Sequence, residues 1–479
     1  MRHAAQQAGR SLAALLVSLA CVAGPAAARP ALPNKEFNDL KKEALKAAQR
    51  GDMSELASKL RELGRDDSDR AIEAIASIAV RLPDMQIYNA ARDVIAGMRS
   101  DEATAGLVAL VSKDKNPMVR ILLVDALAQR DDEASAGGIA AAIGDRTEEV
   151  ARAAIQAARK RKLTAAVDAL IDVVAKLEAK DDGSLLITLA REALNEITGE
   201  AFAKAADWRN FWEPRKATFR PVTGGQKKDL AGTSERKRPV FFGSEIKSNR
   251  VVFVIDASGS MEAADPGTAS SSEAAGASRV RMERAKQQLA QVVAALPDDV
   301  RFTIVSYSGI LYQGGAGGAG TLPPGTPQDG PLPPTIGGFE WLKVFKPRLT
   351  PANARTKAEA AEWISQLKAN GTTFTLQAIR AALEIDGADT IVLLSDGMPT
   401  EIDRKTGEGL TPEKVLEEVT ALNRFRRMRI DTFGFDPASG GAVNAGGSRG
   451  GRRGGGFASL GQFMQDLAEQ NGGGYTQIP

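Results

Sequence analysis

The sequence predicts a chain of two parts, an all-α helical-repeat domain over residues 29–214 and a doubly wound α/β domain over residues 241–479. Three observations predict this division. Helical patterns recur at a regular period in the first part, strands alternate with helices in the second, and a basic segment at residues 215–240 separates them. A length of 479 residues is enough for two or more domains, each with its own core.

The N-terminal segment, residues 1–28, has the pattern of a secretory signal peptide. Arg2 and Arg10 precede an apolar run at residues 12–22, and three alanines follow at residues 26–28. We expect an exported protein, periplasmic or secreted, with no transmembrane segment, because this run is shorter than the roughly 20 residues that cross a bilayer. Lipoprotein anchoring through Cys21 is an alternative that Ser18 disfavours, since such signals usually carry Leu at that position.

Removal of that segment leaves a chain without histidine or cysteine, because His3 and Cys21 are the only ones in the sequence. Zinc sites, haem ligation, disulfides and His-dependent nucleophiles are then excluded, whereas carboxylate and hydroxyl chemistry remains. The formal net charge of +2 gives no general nucleic-acid footprint. We therefore expect no nucleic-acid partner.

Residues 34–198 form a succession of short helical patterns. Asp84, Asp114 and Asp145 each open a similar unit, 30 and then 31 residues apart, and a further unit follows near Asp182. Such a period is typical of an α-solenoid, in which each repeat packs against its neighbours and a second partner can bind. The segments KNPMVRILLVDALAQ and RTEEVARAAIQAARK resemble HEAT repeats, although they are shorter than that class. An ordinary helical bundle is the alternative.

The helical part is expected to close with a packed capping helix, because Trp208, Phe211 and Trp212 are spaced at i, i+3 and i+4. The segment 215–240 then has eight Lys or Arg, two acidic residues and no apolar period. We interpret it as a solvated tether. Binding to an anionic polymer or a membrane surface is the alternative.

The second part alternates strand and helix patterns. VVFVID, RFTIVSYS, DTIVLLSDG, RIDTFGFD and YTQI predict strands, and amphipathic segments between them predict helices. Two insertions rich in Gly, at residues 309–340 and 437–456, predict mobile loops without a packed core. In such a sheet, ligands bind beyond the carboxyl ends of the strands.

Three segments with oxygen side chains follow one another in this domain. Asp256-Ala-Ser258-Gly-Ser260 comes directly after VVFVI, NGTTFT at residues 370–375 precedes a helix, and Asp396 follows the next strand. Each segment alone is a common turn sequence. Together they predict side chains that converge on one cation at the carboxyl edge of the sheet.

In this order the segments resemble the metal-ion-dependent adhesion site of the von Willebrand factor type A family, which has a Rossmann-like fold. The resemblance covers residues 241–479. It implies Mg²⁺ as the bound ion, with Ca²⁺ or Mn²⁺ as alternatives. Thr373 keeps the family's spacing to the following helix, and Thr372 is the alternative. The implied ligands are Asp256, Ser258, Ser260, Thr373 and Asp396.

The resemblance also implies a non-enzymatic protein-binding module, in which an Asp or Glu of a protein partner completes the coordination of the ion. Ligand capture would move the last helix, residues 457–470. One alternative is a structural scaffold in which the metal only stabilises the fold. Another is a metal-dependent hydrolase or phosphatase, which Ser258 disfavours because aspartyl phosphatases carry a second acid at that position.

Overall fold

The computed structural model describes residues 31–221, 228, 230, 238–265, 280–310, 323, 325–435 and 459–478. It has a helical N-terminal half and a mixed α/β sheet in the C-terminal half, which confirms the two-part architecture. The expected signal peptide, much of the basic segment 215–240 and the insertion 437–456 lie outside the described residues. Within the described part, no helix is long and apolar enough to cross a membrane.

The N-terminal part consists of helices joined by short connections. Several begin at an aspartate whose carboxylate accepts a backbone N–H of the first turn, as Asp52, Asp84 and Asp132 do. The helices are α1 (Asn34–Arg50), α2 (Met53–Leu63), α3 (Asp69–Ala79), α4 (Met85–Gly97), α5 (Asp101–Lys113), α6 (Pro117–Leu127), α7 (Glu133–Ala142), α8 (Glu148–Arg161), α9 (Val167–Glu178), α10 (Leu185–Thr198) and α11 (Ala205–Trp212).

Alternate helices of this part stack on one another. Helices α2, α4, α6, α8 and α10 pack in succession, and α3, α5 and α7 form a second row. Arg120 links two units of the stack. Its Nε and Nη2 donate to the Asp145 carboxylate at 2.9 and 2.8 Å, and its Nη1 donates to the Asp114 carbonyl at 2.8 Å. The two aspartates that open predicted units therefore meet at one buried arginine.

The end of the helical stack is closed by α11, as predicted. Trp208 and Trp212 are buried. The Trp208 indole N–H donates to the Phe202 carbonyl at 3.2 Å, and that of Trp212 donates to the Asp168 carboxylate at 3.1 Å. A buried Trp needs such a partner for its N–H, so these side chains serve packing here.

The C-terminal part is built on one large sheet with two small hairpins. Its strands are β1 (Val240–Phe241), β2 (Ser244–Glu245), β3 (Arg250–Asp256), β4 (Arg301–Tyr307), β5 (Thr335–Ile336), β6 (Phe339–Glu340), β7 (Leu342–Val344), β8 (Thr350–Pro351), β9 (Thr390–Ser395), β10 (Arg429–Phe435) and β11 (Tyr475–Ile478). Its helices are α12 (Arg281–Ala295), α13 (Ala354–Ser365), α14 (Thr375–Leu383), α15 (Pro412–Asn423) and α16 (Leu460–Gln470).

The strand order of the large sheet is β11-β10-β9-β3-β4-β7, with β8 also paired to β4. Strands β11 to β4 in that order are parallel, and β7 and β8 run antiparallel at the edge. Helices cover both faces, since Phe253 and Ile255 pack with α12 and α13, whereas Val252 and Val254 pack with α14 to α16. Burial on both faces explains the continuous apolar run of β3.

The insertion at residues 309–340 differs from its prediction. In its described part, β5 and β6 form a hairpin, Leu332 and Ile336 are buried, and the Trp341 indole N–H beside it donates to the Pro333 carbonyl at 2.7 Å. The expectation of a mobile loop without a packed core is therefore wrong for residues 325–340. The high Gly and Pro content of the segment does not indicate that its few apolar side chains pack on the core.

The helical part lies against the amino ends of the strands. Arg250, the first residue of β3, forms ion pairs with Glu148 of α8 and with Asp389, and the Leu185 N–H of α10 donates to Asp389 at 3.1 Å. Arg152 of α8 donates to the Arg426 carbonyl at 2.9 Å. The sequence pattern predicts only a tether between the parts and does not indicate this interface.

Candidate metal centre

The candidate residues lie at the carboxyl edge of the sheet, where the strand order changes direction. From β3 the chain adds β4 on one side, and it then returns to form β9 on the other side of β3. Asp256 ends β3 and Asp396 follows β9, so both carboxylates lie at this switch point, where ligands bind in open α/β sheets. The seven residues of β3 separate them from the helical part by about 20 Å.

Asp256 is fully buried and held from two sides. Its Oδ1 accepts the Ser258 N–H at 2.8 Å, and its Oδ2 accepts the Ser395 hydroxyl at 2.5 Å. Burial, and then the negative charge of Asp396, raise the pKa of Asp256 to about 7. Two carboxylates close together in a buried site repel each other, and a cation between them would relieve that repulsion.

The two serines connect the loop after β3 to the loop after β9. The Ser258 and Ser260 hydroxyl oxygens lie 2.9 Å apart, and the Ser260 hydroxyl donates to Asp396 Oδ1 at 2.6 Å. Ser260 lies in a short 3-10 turn, Gly259–Glu262, which turns the chain back toward the end of the sheet. A continuous line of oxygen atoms therefore joins Ser258, Ser260 and Asp396.

Thr373 and Thr372 occupy different surroundings. A Cβ placed on Gly397 would lie 3.3 Å from Thr373 Oγ1 and 3.6 Å from Ser260 Oγ, so these two hydroxyls border the same small space. The Thr372 hydroxyl donates to the Ile310 carbonyl at 3.1 Å. Thr400 fixes Thr373 through its own hydroxyl, which accepts the Thr373 N–H at 2.8 Å. The structure thus places the Thr373 hydroxyl, and not that of Thr372, beside Ser260 and Gly397.

Backbone contacts hold the loops together. The Gly259 N–H donates to the Gly371 carbonyl at 3.0 Å, and the Thr372 N–H donates to the Gly309 carbonyl at 2.9 Å. Gly371 has a φ of +76°, and a Cβ there would lie 2.1 Å from the Gly309 carbonyl oxygen. Only glycine meets both demands, because other residues rarely adopt this backbone conformation and none lacks the Cβ.

Arg281, the first residue of α12, brings a positive charge to the site. Its Nη1 donates to Asp396 Oδ2 at 2.8 Å, and its side chain is 12% exposed. The two oxygens of Asp396 are therefore shared between the Ser260 hydroxyl and this guanidinium. No helical period or motif in the sequence singles out Arg281.

The donor set suits a hard divalent cation. It consists of two carboxylates and three hydroxyl groups on three loops, and Mg²⁺ prefers oxygen ligands and retains water molecules readily. Within the described residues, no three His, Cys, Asp or Glu side chains are grouped as a metal site. A cation here would rely on hydroxyl and water ligands as well as carboxylates. The Arg281 guanidinium, which already neutralises Asp396, would compete with it.

Two further residues of this region escape the sequence analysis. Ser395 precedes the candidate ligand Asp396 and donates to the other carboxylate, Asp256. Glu401 is buried beside the start of α14, where its Oε1 accepts the Leu376 N–H at 2.5 Å. Burial raises the pKa of Glu401 to about 8. An acidic residue at a helix N-terminus is a recognisable signal, but Glu401 comes from a loop that is distant in sequence.

Comparison with known proteins gives weak similarities only. Among solved structures, the chain is similar to a von Willebrand factor type A protein from Catenulispora acidiphila, at 18% identity and a TM-score of 0.29 over 48% of this chain and 38% of that one. It is also similar to an aerotolerance-related membrane protein from Bacteroides fragilis, at 14% identity and a TM-score of 0.28 over 48% of this chain and 90% of that one.

A further similarity is to the PilB minor pilin from Streptococcus sanguinis, at 15% identity and a TM-score of 0.28 over 49% of this chain and 58% of that one. The chain thus spans less than two thirds of the length of two of these three structures. No family model matches it, and no curated protein matches it. Similarity at this level assigns no function.

Proposed function

We propose that this chain is an exported, non-enzymatic protein-binding module of the von Willebrand factor A type. It holds Mg²⁺ at the carboxyl edge of its sheet and captures an Asp or Glu side chain of a protein partner. Ca²⁺ and Mn²⁺ are alternative ions. The proposed ligands are Asp256, Ser258, Ser260, Thr373 and Asp396. The helical part, as a HEAT-like repeat scaffold, presents this module and offers a surface for a second partner.

The observation that carries the proposal is the line of oxygen atoms at the switch point. Ser258, Ser260 and Asp396 are linked by contacts of 2.9 and 2.6 Å, and Asp256 lies fully buried at the end of the adjacent strand. Hydroxyl ligands are neutral, so an ion bound by them and two carboxylates retains affinity for a further anionic oxygen. A carboxylate from outside the chain is the natural ligand for that position.

The environment of Asp256 supports a binding role over a nucleophilic one. Its side chain is fully buried, and both of its oxygens accept hydrogen bonds, from Ser258 and Ser395. An attacking carboxylate must reach its substrate, which a fully buried side chain does not, whereas a small ion can enter between buried oxygen atoms. The arrangement therefore favours an ion-binding function over a phosphatase or hydrolase function.

The contact between Arg281 and Asp396 bears on the alternative in which a metal only stabilises the fold. That ion pair supplies a positive charge without a metal ion, and Ser395 and the Ser258 N–H already satisfy Asp256. The site thus has internal partners for both carboxylates. We expect the chain to fold without metal and the metal to act in ligand capture.

The proposal is tested by calorimetric titration of the protein with Mg²⁺ and Mn²⁺, beside the variants Asp256→Asn and Asp298→Asn. The wild type should bind one ion with a saturable signal, and Asp256→Asn should lose it because a neutral amide replaces a charged ligand. Asp298 is 87% exposed at its side chain and lies outside the site, so Asp298→Asn should bind like the wild type.

The capture step is tested with the metal-loaded protein and a library of short peptides that carry a central Asp or the matched Asn. Binding of Asp peptides that disappears in EDTA and in Asp256→Asn supports the proposal. Metal binding without any Asp-dependent peptide binding, together with a lower unfolding temperature in EDTA, would favour the purely stabilising role of the metal instead.

A further inference from the structure

We propose that Arg281 is a built-in competitor of the metal ion, which occupies Asp396 in the metal-free protein and is displaced when a divalent cation binds. The inference rests on the proposed function and concerns the regulation of the same site. It assigns to Arg281 a role in setting the metal concentration at which the module becomes able to capture a partner.

Arg281 lies directly against the carboxylate of Asp396. Its guanidinium donates to Asp396 Oδ2 at 2.8 Å, and the Asp396 side chain is fully buried. A divalent cation that approaches Asp396 therefore meets a carboxylate that is already neutralised. Arg281 lies on Oδ2 and Ser260 on Oδ1, so an ion beside the serines and the guanidinium would repel each other across one carboxylate, and each would weaken the other's hold on it.

The Nε donor of the Arg281 guanidinium bears on its release. Within the described residues, its Nε is buried and has no hydrogen-bond partner. A buried donor without a partner is unfavourable, and movement of the side chain toward solvent would return that N–H to water. Release of Arg281 therefore recovers part of the free energy that loss of the ion pair removes.

Arg281 is also linked through the backbone to the loop that carries Ser260. Its N–H donates to the Ala263 carbonyl at 3.1 Å, and the neighbouring Val280 pairs with Ala264 as an isolated β-bridge. Ala263 follows directly on the turn that carries Ser260. Ser260 and Arg281 are thus joined both through Asp396 and through the backbone. Exchange of the guanidinium for an ion therefore affects the positions of both residues.

The experiment is calorimetric titration of Mn²⁺ into the wild type, Arg281→Gln, Arg281→Lys and the control Arg355→Gln. Arg355 is 89% exposed at its side chain and lies on α13, outside the site. Arg281→Gln should bind Mn²⁺ about 10-fold or more tightly than the wild type, because the competing charge-assisted bond is gone. Arg281→Lys retains the charge without the fork-shaped donor group and should fall between them. Arg355→Gln should match the wild type.

A second readout uses no metal. In EDTA, Arg281→Gln should unfold at a lower temperature than the wild type, since Asp396 loses its counter-charge, and saturating Mn²⁺ should raise its unfolding temperature by more than it raises that of the wild type. Tight binding by Arg281→Gln beside weaker, saturable binding by the wild type would support the inference in its strongest form.

The failures are distinguishable. Equal or weaker Mn²⁺ binding by both Arg281 variants, beside saturable wild-type binding that Asp256→Asn abolishes, overturns the competition and leaves the proposed function intact. Absence of binding in the wild type and in both Arg281 variants overturns the proposed function, and the inference with it.

Discussion

The buried carboxylate of Asp389 joins the two halves of the protein directly. Its removal should lower the free energy of unfolding. Its oxygens accept the Leu185 N–H from the helical part and the Ser248 hydroxyl, Arg250 and the Thr390 hydroxyl from the α/β part. The side chain is 1% exposed. The substitution Asp389→Ala removes all of these contacts.

The expected loss of stability follows from the contacts that remain in Asp389→Ala. Arg250 would retain Glu148 but lose Asp389, and the Leu185 N–H would be left buried without its acceptor. Loss of one partner of a buried ion pair costs about 3–5 kcal/mol, and the lower end of this range is expected here because Arg250 keeps Glu148 and is 24% exposed. Asp389→Asn keeps the shape and one acceptor oxygen, so its loss should be smaller, about 1–3 kcal/mol.

The assay is urea unfolding followed by circular dichroism, together with differential scanning calorimetry. The control is Asp386→Ala, which lies three residues away and is exposed. Asp389→Ala should lower the free energy of unfolding by the amount given above, and it should split the calorimetric transition in two because the halves no longer unfold together. An Asp389→Ala variant within about 1 kcal/mol of the control, with a single transition, would show that Asp389 does not hold the two halves together.

Three further predictions concern the metal centre and the helix beside it. Burial raises the pKa of Glu401 from 4.5 to about 8, so its contribution to stability is fully present below pH 4.5 and is lost as the pH rises through 8. The free energy of unfolding in urea should therefore decline between pH 4.5 and 8, and Glu401→Gln should lack this decline. Thr373→Ala should weaken Mg²⁺ binding by about 10-fold or more in calorimetry, whereas Thr372→Ala should leave it near the wild-type value; the reverse order would exchange their roles. Gly371→Ala should destabilise the fold by at least about 1–2 kcal/mol and abolish Mg²⁺ binding, and an unperturbed variant would contradict the close approach to Gly309.

The central strands and the grouping of the five candidate ligands were within reach of the sequence, because each depends on local pattern. The run VVFVID predicts β3 since both faces of that strand are buried, and motif residues at strand ends gather at one sheet edge by topology alone. The α9 stripe of Val167, Leu170 and Val174 shows the same rule for helices, since its spacing places apolar side chains on one buried face.

The remainder depends on contacts between distant segments, which leave no period in the sequence. Arg281 reaches Asp396 across 115 residues, and Arg250 reaches Glu148 across 102. The same limit applies to the repeat arginines. Arg120 and Arg152 are both buried arginines of the helical part, yet Arg120 pairs with the next unit and Arg152 contacts the α/β part. An ion pair is specified by folded geometry, so sequence alone does not show which of many charged residues will meet.

Binding of a cation at the carboxyl edge of the sheet is tested most directly by anomalous scattering from crystals soaked in MnCl₂. A single strong anomalous peak is expected within about 2.6 Å of oxygen atoms from Ser258, Ser260 and at least one of Asp256 and Asp396, with Thr373 in the same shell or bridged by water. The same crystals should show the Arg281 guanidinium displaced from Asp396. Well-diffracting crystals with no peak at this edge of the sheet, or with the ion bound elsewhere, would contradict the proposed site.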